Sequence, residues 1–122
     1  MATEHLARVH GTSVMICAPD GIPVDTEGAA AELIGEGLGQ RAQVVVIPSE
    51  RLTDDFFELA TGVAGLIVQR FAAYRLRLAV VGDISHRGGD AGSLRSWVAE
   101  SNRGSQLWFC CTFDEFRLRL RP

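Results

Sequence analysis

Five side chains could meet to do chemistry: Asp54, Asp55, Asp83, His86 and Arg87. The three carboxylates follow apolar runs that read as strands. In an open α/β sheet, ligands favour the crevice at the carboxyl ends of the strands. Carboxylates gathered there could hold a divalent cation through oxygen. The stretch Ile84-Ser85-His86-Arg87-Gly88-Gly89-Asp90-Ala91-Gly92 adds a histidine, an arginine and backbone N–H groups ahead of a helix, donors suited to a small anion such as phosphate. That set would make a binder of a small anionic ligand, or a weak metal-dependent hydrolase. The plainer reading makes Asp54 and Asp55 helix-dipole residues and the glycine-rich stretch a surface turn. Neither the G-x-x-x-x-G-K of a P-loop nor the G-x-G-x-x-G of a dinucleotide site is present.

Nucleophilic catalysis has less support. Ser85 and His86 are adjacent, and side chains one apart seldom converge for proton transfer. His5 and His10 read as solvated residues of the amino-terminal segment. Glu100, Asn102 and Arg103 are catalytic in type, but a helix of about ten residues spans about 15 Å. They are therefore expected at the opposite rim from Asp83, where E-S-N-R-G reads as a helix end with Arg103 or Arg70 pairing Glu100. Arg70 lies beside a core face and should have a carboxylate partner. No catalytic residue, metal ligand or cofactor is assigned.

The elements that would position these groups alternate. Val14–Ala18 is a short apolar run between Gly11-Thr12 and the turn Pro19-Asp20-Gly21. Asp25 or Thr26 caps a first helix, whose apolar Ala30, Leu33, Ile34 and Leu38 keep helical spacing before Gly39 stops it. Gln43–Ile47 is continuous and β-branched, as in a strand covered on both faces. Thr53 is expected to cap one long second helix with Asp54 and Asp55 in its first turn. Phe56, Ala60, Val63, Ala64, Ile67, Phe71 and Tyr74 share its core face.

The opposite side of that helix carries Glu58, Thr61, Gly62, Gly65, Gln69, Ala72 and Ala73, small where charge would be usual. Interior glycines cost about 1 kcal/mol each relative to alanine, so another backbone should approach there. A contact with a second copy or a protein partner through Gly62, Gly65, Gln69 and Ala72 is the expected use. Leu76–Val81 is a third strand ending in Gly82-Asp83. Ser93 caps a third helix over Leu94–Ser101. Gln106–Cys111 is a fourth strand. Thr112-Phe113-Asp114-Glu115 matches a capping box that favours a short last helix, although the alternation Arg117-Leu118-Arg119-Leu120-Arg121 would equally suit an edge strand.

Composition fits this picture. At 122 residues with 47% apolar content, there is room for one domain and one core, over residues 1–122. A formal charge of −3 gives no reason to expect nucleic acid or an anionic membrane as partner. All 12 basic residues are arginine, which codon bias explains more simply than selection for anion binding. Cys17, Cys110 and Cys111 have no zinc spacing and read as small buried hydrophobes, implying a reducing, cytoplasmic setting. The start, MATEHLARVHG, lacks an apolar leader, and no window approaches the roughly 18 apolar residues of a membrane span.

The segments F-F-E-L-A-T-G-V-A-G-L-I-V-Q-R-F at 56–71, L-A-V-V-G-D at 78–83 and E-S-N-R-G at 100–104 resemble a bacterial family of small proteins with no established activity. That family is similar to STAS-like domains, the α/β modules of anti-sigma-factor antagonists and of some transporters. The resemblance covers most of residues 43–120. It implies a STAS-like, mainly parallel four-stranded sheet with three to four helices, and a non-enzymatic regulatory or protein-interaction role. In the antagonists a phosphorylatable serine sits where a loop enters a helix. The equivalent loop here is Leu52-Thr53-Asp54-Asp55-Phe56, with Asp55 near that serine's place and Thr53 the nearest hydroxyl. The resemblance to kinase-switched antagonists is therefore incomplete at this loop.

Overall fold

The computed structural model describes residues 5–87 and 91–121. Five strands, β1 (His5–Val9), β2 (Thr12–Ile16), β3 (Val44–Pro48), β4 (Arg77–Val81) and β5 (Leu107–Cys110), form one sheet in sequential order. β2 to β5 are parallel, whereas β1 runs antiparallel to β2. The helices are α1 (Glu27–Gly39), α2 (Asp54–Phe57), α3 (Val63–Ala73), α4 (Ala91–Arg103) and α5 (Phe113–Arg119). The fold is thus α/β as expected, with five strands and five α-helices among the described residues where four and three to four were expected.

The additional strand is β1. It turns into β2 at His10-Gly11, and both residues have positive φ, 51° and 82°. That is the geometry of a two-residue type I′ hairpin, whose twist matches the strands it joins. Leu6, Ala7, Arg8 and Val9 lack the β-branched run that marks β3, so the pairing with β2 rather than composition makes this segment a strand.

Alternate strand residues enter two cores. Met15, Val45, Ile47, Leu78, Val80, Leu107 and Phe109 meet Leu33 and Ile34 of α1, Ala64, Ile67 and Phe71 of α3, and Leu94 of α4. On the opposite face Val14, Val44, Val46, Ala79, Trp108 and Cys110 meet Phe116 of α5. α5 opens with the expected cap: the Thr112 hydroxyl accepts from Glu115 N at 3.1 Å. Trp108 fixes the far end of this layer. Its ring lies 4.5 Å and 4.4 Å from the guanidinium carbons of Arg77 and Arg119, and its Nε1 donates to Gly104 O at 2.7 Å. Burial first, then the neighbouring Arg119 charge, lowers the pKa of Arg77 from the ordinary arginine value.

Several expectations change here. The long second helix is broken into α2, a 3₁₀ turn (Leu59–Thr61) and α3, because Gly62 takes φ 79°. Helical phase is lost across that break, so Ala60 is exposed although Phe56, Ala64, Ile67 and Phe71 are buried. Tyr74 follows the last helical residue of α3 and is exposed too. Thr53 stands at the start of α2 without a side-chain cap; Phe56 N bonds the Thr53 carbonyl instead, and the hydroxyl is buried without a hydrogen-bond partner. Thr26 does cap α1, accepting from Ala29 N at 3.1 Å. α4 begins before Ser93, which lies within its first turn. Cys17 and Cys110 are buried, but Cys111 is exposed because it follows the last residue of β5. No helix among the described residues is long and apolar enough to cross a membrane.

Candidate functional site at the carboxyl rim

Parallel β3 and β4 bring the loops that follow them to one rim of the sheet. Arg87 ties those loops together. Its Nη2 donates to Leu52 O at 2.6 Å, its Nη1 to Ser49 O at 3.3 Å, and its Nε lies 3.3 Å from Asp54 Oδ1. Its guanidinium carbon sits 4.4 Å from the centre of the Phe57 ring. Asp54 and Arg87 therefore do meet, but the arginine fork is spent on backbone carbonyls rather than offered to an anion. The Asp54 carboxylate is mostly exposed, so this ion pair contributes little by itself.

Asp83 turns into its own loop, where its Oδ1 accepts from Ser85 N at 2.9 Å. That backbone bond, with one from the Ser85 side chain, holds the carboxyl below its ordinary value, and the His86 charge adds a weaker pull. His86 and Asp55 are exposed. Gly88, Gly89 and Asp90, whose N–H groups were to complete an anion cradle, lie outside the described residues. Among the described residues no group of three His, Cys, Asp or Glu is placed to hold a metal ion.

Residues that sequence reasoning passed over do more at this rim. Arg51 is buried, donating from Nε to Ile22 O at 2.9 Å and from Nη1 to Ala18 O at 3.2 Å. It ties the loop after β2 to the loop after β3 as Arg87 ties the next pair. Gly21 packs against its guanidinium, and a Cβ there would overlap it. Gly82, at φ 144°, packs equally closely on buried Ser49. The glycines were legible as turn residues; their role as contact surfaces was not, because the partner arginine and serine lie some 30 residues away.

Below the rim, on the α5 face, is an open apolar cavity of about 430 Å³ lined by Ile16, Cys17, Pro48, Val81, Gly82 and Phe113. Nearby, burial pushes the Cys110 thiol up to about 11, with the Glu115 charge adding to it, so the thiol stays protonated at neutral pH.

The expected interface residues sit elsewhere. Gly65, Gln69 and Ala72 are exposed on α3, and a Cβ on Gly65 would meet nothing within 4 Å. Gly62 is exposed as well, but at the break before α3 rather than inside a helix. Leu38 of α1 is 45% exposed, Leu66 of α3 39% and Tyr74 53%. A hollow of about 200 Å³ lies between the two helices, lined by Ala31, Ile34, Gly35, Leu38, Arg70 and Tyr74. Arg70 has the carboxylate partner expected of it, though the partner is Glu27. Glu100 pairs with Arg103 at 2.5 Å in solvent.

Asn102 has a structural task. Its Oδ1 accepts from Phe109 N at 2.7 Å and its Nδ2 donates to Phe109 O at 3.2 Å, so one amide copies a neighbouring strand along β5. Its own carbonyl accepts from Arg119 at 2.6 Å. Phe109 pairs with Val80, so the Asn102 side chain reaches partway along the sheet rather than marking its amino rim. Asp83 bonds its own loop and Asn102 the edge of β5, and the two do not share a site.

A mainly parallel α/β sheet with an antiparallel first strand and a rim closed by two inward arginines defines the class. The chain belongs to the family described as Domain of unknown function (DUF4180), whose model matches residues 9–120. Comparison with curated proteins and with solved structures gave no match.

Proposed function

We propose that the chain is a non-enzymatic, STAS-like interaction module that binds a protein partner, or a second copy of itself, through the outer face of α1 and α3. The observation that carries this reading is the exposure of Leu38 and Tyr74 at one hollow beside small Ala31 and Gly35, with Leu66, Gly65 and Ala72 exposed on α3. Large apolar groups placed together in solvent mark interaction surfaces more often than catalytic ones. The order of strands and helices, and the loop Leu52–Phe56 entering a helix, support the STAS-like part of the reading.

A photo-crosslinking residue at Gln69 tests it in cells. A discrete adduct that disappears when Gly65→Arg is added supports the interaction face. Absence of any adduct, together with a thermal shift produced by phosphate, nucleotides or Mg²⁺, would replace it with the small-ligand reading, because a ligand in excess stabilises what it binds.

A further inference from the structure

The sheet has two edges, and they are treated differently. β5 is blocked midway by the Asn102 amide, which occupies both outward groups of Phe109. At the other edge, β1 pairs with β2 in the register His5–Ile16, Ala7–Val14 and Val9–Thr12 on one set of alternate residues. In a two-residue hairpin the pair next to the turn exchanges hydrogen bonds, and every second pair repeats it. The N–H and C=O groups of Leu6 and Arg8 therefore point away from β2, and no described residue bonds them.

Proteins blunt such an edge with proline, lysine or a bulge. β1 has none of these: its five pairs are continuous, and its one permanent charge, Arg8, folds back to Ser13 Oγ at 3.0 Å and Gly11 O at 3.4 Å. Leu6, the large apolar residue of the edge, is 44% exposed.

We infer that β1 is a strand-addition edge whose occupant is β1 of a second copy, paired antiparallel about a two-fold axis at Ala7. In this register Leu6 of each copy exchanges both backbone bonds with Arg8 of the other. Ala7 faces Ala7 as a non-bonded pair, where Cα atoms approach to about 4.5 Å and the two small side chains fit without displacing each other. Each exposed Leu6 lies against the aliphatic stem of an arginine. Sliding two residues toward the turn would set Arg8 against Arg8, so like charges oppose that slip. A one-residue slip loses the bonds altogether. The product is a continuous ten-stranded sheet. Five residues per strand bury less than the roughly 1,000 Å² of a stable interface, so the dimer is concentration-dependent.

This surface is separate from the α1/α3 face, and variants distinguish the two. Sedimentation velocity over a wide concentration range should show a reversible monomer–dimer equilibrium for the wild-type chain. Leu6→Pro removes an outward N–H that the monomer does not use, so the dimer should be lost while the melting transition is kept. Ala7→Lys, which sets two charges together on the axis, should give the same loss if the proline variant fails to fold. Gly65→Arg should leave the dimer intact. A wild-type chain that stays monomeric throughout overturns the inference. So does a dimer that survives Ala7→Lys, or one abolished by Gly65→Arg, which would belong to the helical face.

Discussion

At the carboxyl rim two arginines are turned inward, whereas on the α1/α3 face apolar groups are turned outward. Arg51 and Arg87 donate to carbonyls of neighbouring loops. Leu38 and Tyr74 meet solvent beside small Ala31 and Gly35, and Leu66 meets solvent on α3. Arg51 and Arg87, of a residue type that suggests chemistry in a sequence, are here used to join loops, whereas the helical face exposes apolar side chains. A guanidinium has five donors, which makes it as useful for gathering backbone carbonyls as for holding an anion.

The contrast can be broken most severely from beneath α3. Phe71→Ala should cost about 3–5 kcal/mol, the range for emptying a buried aromatic site, and chemical denaturation will measure it. A variant that unfolds like the wild type would mean that α3 is rotated and that the outward face is misassigned. Next is the rim. Arg87→Ala should cost about 2–3 kcal/mol, since it leaves two carbonyls without their donor and removes the Phe57 contact. If stability is unchanged, the guanidinium is free for a ligand after all.

Gly65→Arg tests the outward face with a smaller and opposite effect. Arginine is the better helix former and the site is open, so the monomer should gain up to about 1 kcal/mol. A destabilised monomer would show that the stripe is packed in solution. The smallest effect is that of Asp83. Its folded pKa lies below the ordinary 3.8, so its contribution is present above that value and is lost as pH falls through the lower folded value. An NMR titration should give a midpoint below that of a model aspartate, and Asp83→Asn should flatten the acid limb of the stability curve slightly. A midpoint at or above the ordinary value would remove the Ser85 bond from the account.

Much of this was legible where the cause is local. The β-branched run before Pro48, the Thr112–Glu115 cap and the 3-4 spacing of Leu33, Ile34 and Leu38 announce their elements through neighbours in sequence, although Leu38 itself ends up in solvent. β1 was missed because its strand character comes from β2 across a His-Gly turn. The break at Gly62 was missed because periodicity does not report the sign of φ. At the rim, the proximity of Asp54 and Arg87 follows from parallel strands and could be foreseen. That Arg87 is consumed could not, since its carbonyl partners are 35 and 38 residues away.

The Asn102 amide also sets a limit on growth. With one edge of the sheet blocked midway by a side chain, a chain has a single backbone rail on which another strand can add. Addition about a two-fold axis uses that rail on both copies at once and leaves two blocked ends facing outward. Strand addition at β1, as inferred above, would therefore stop at two. Without the amide at position 102, each chain would present two rails, and the same pairing chemistry would have a route to an open fibre.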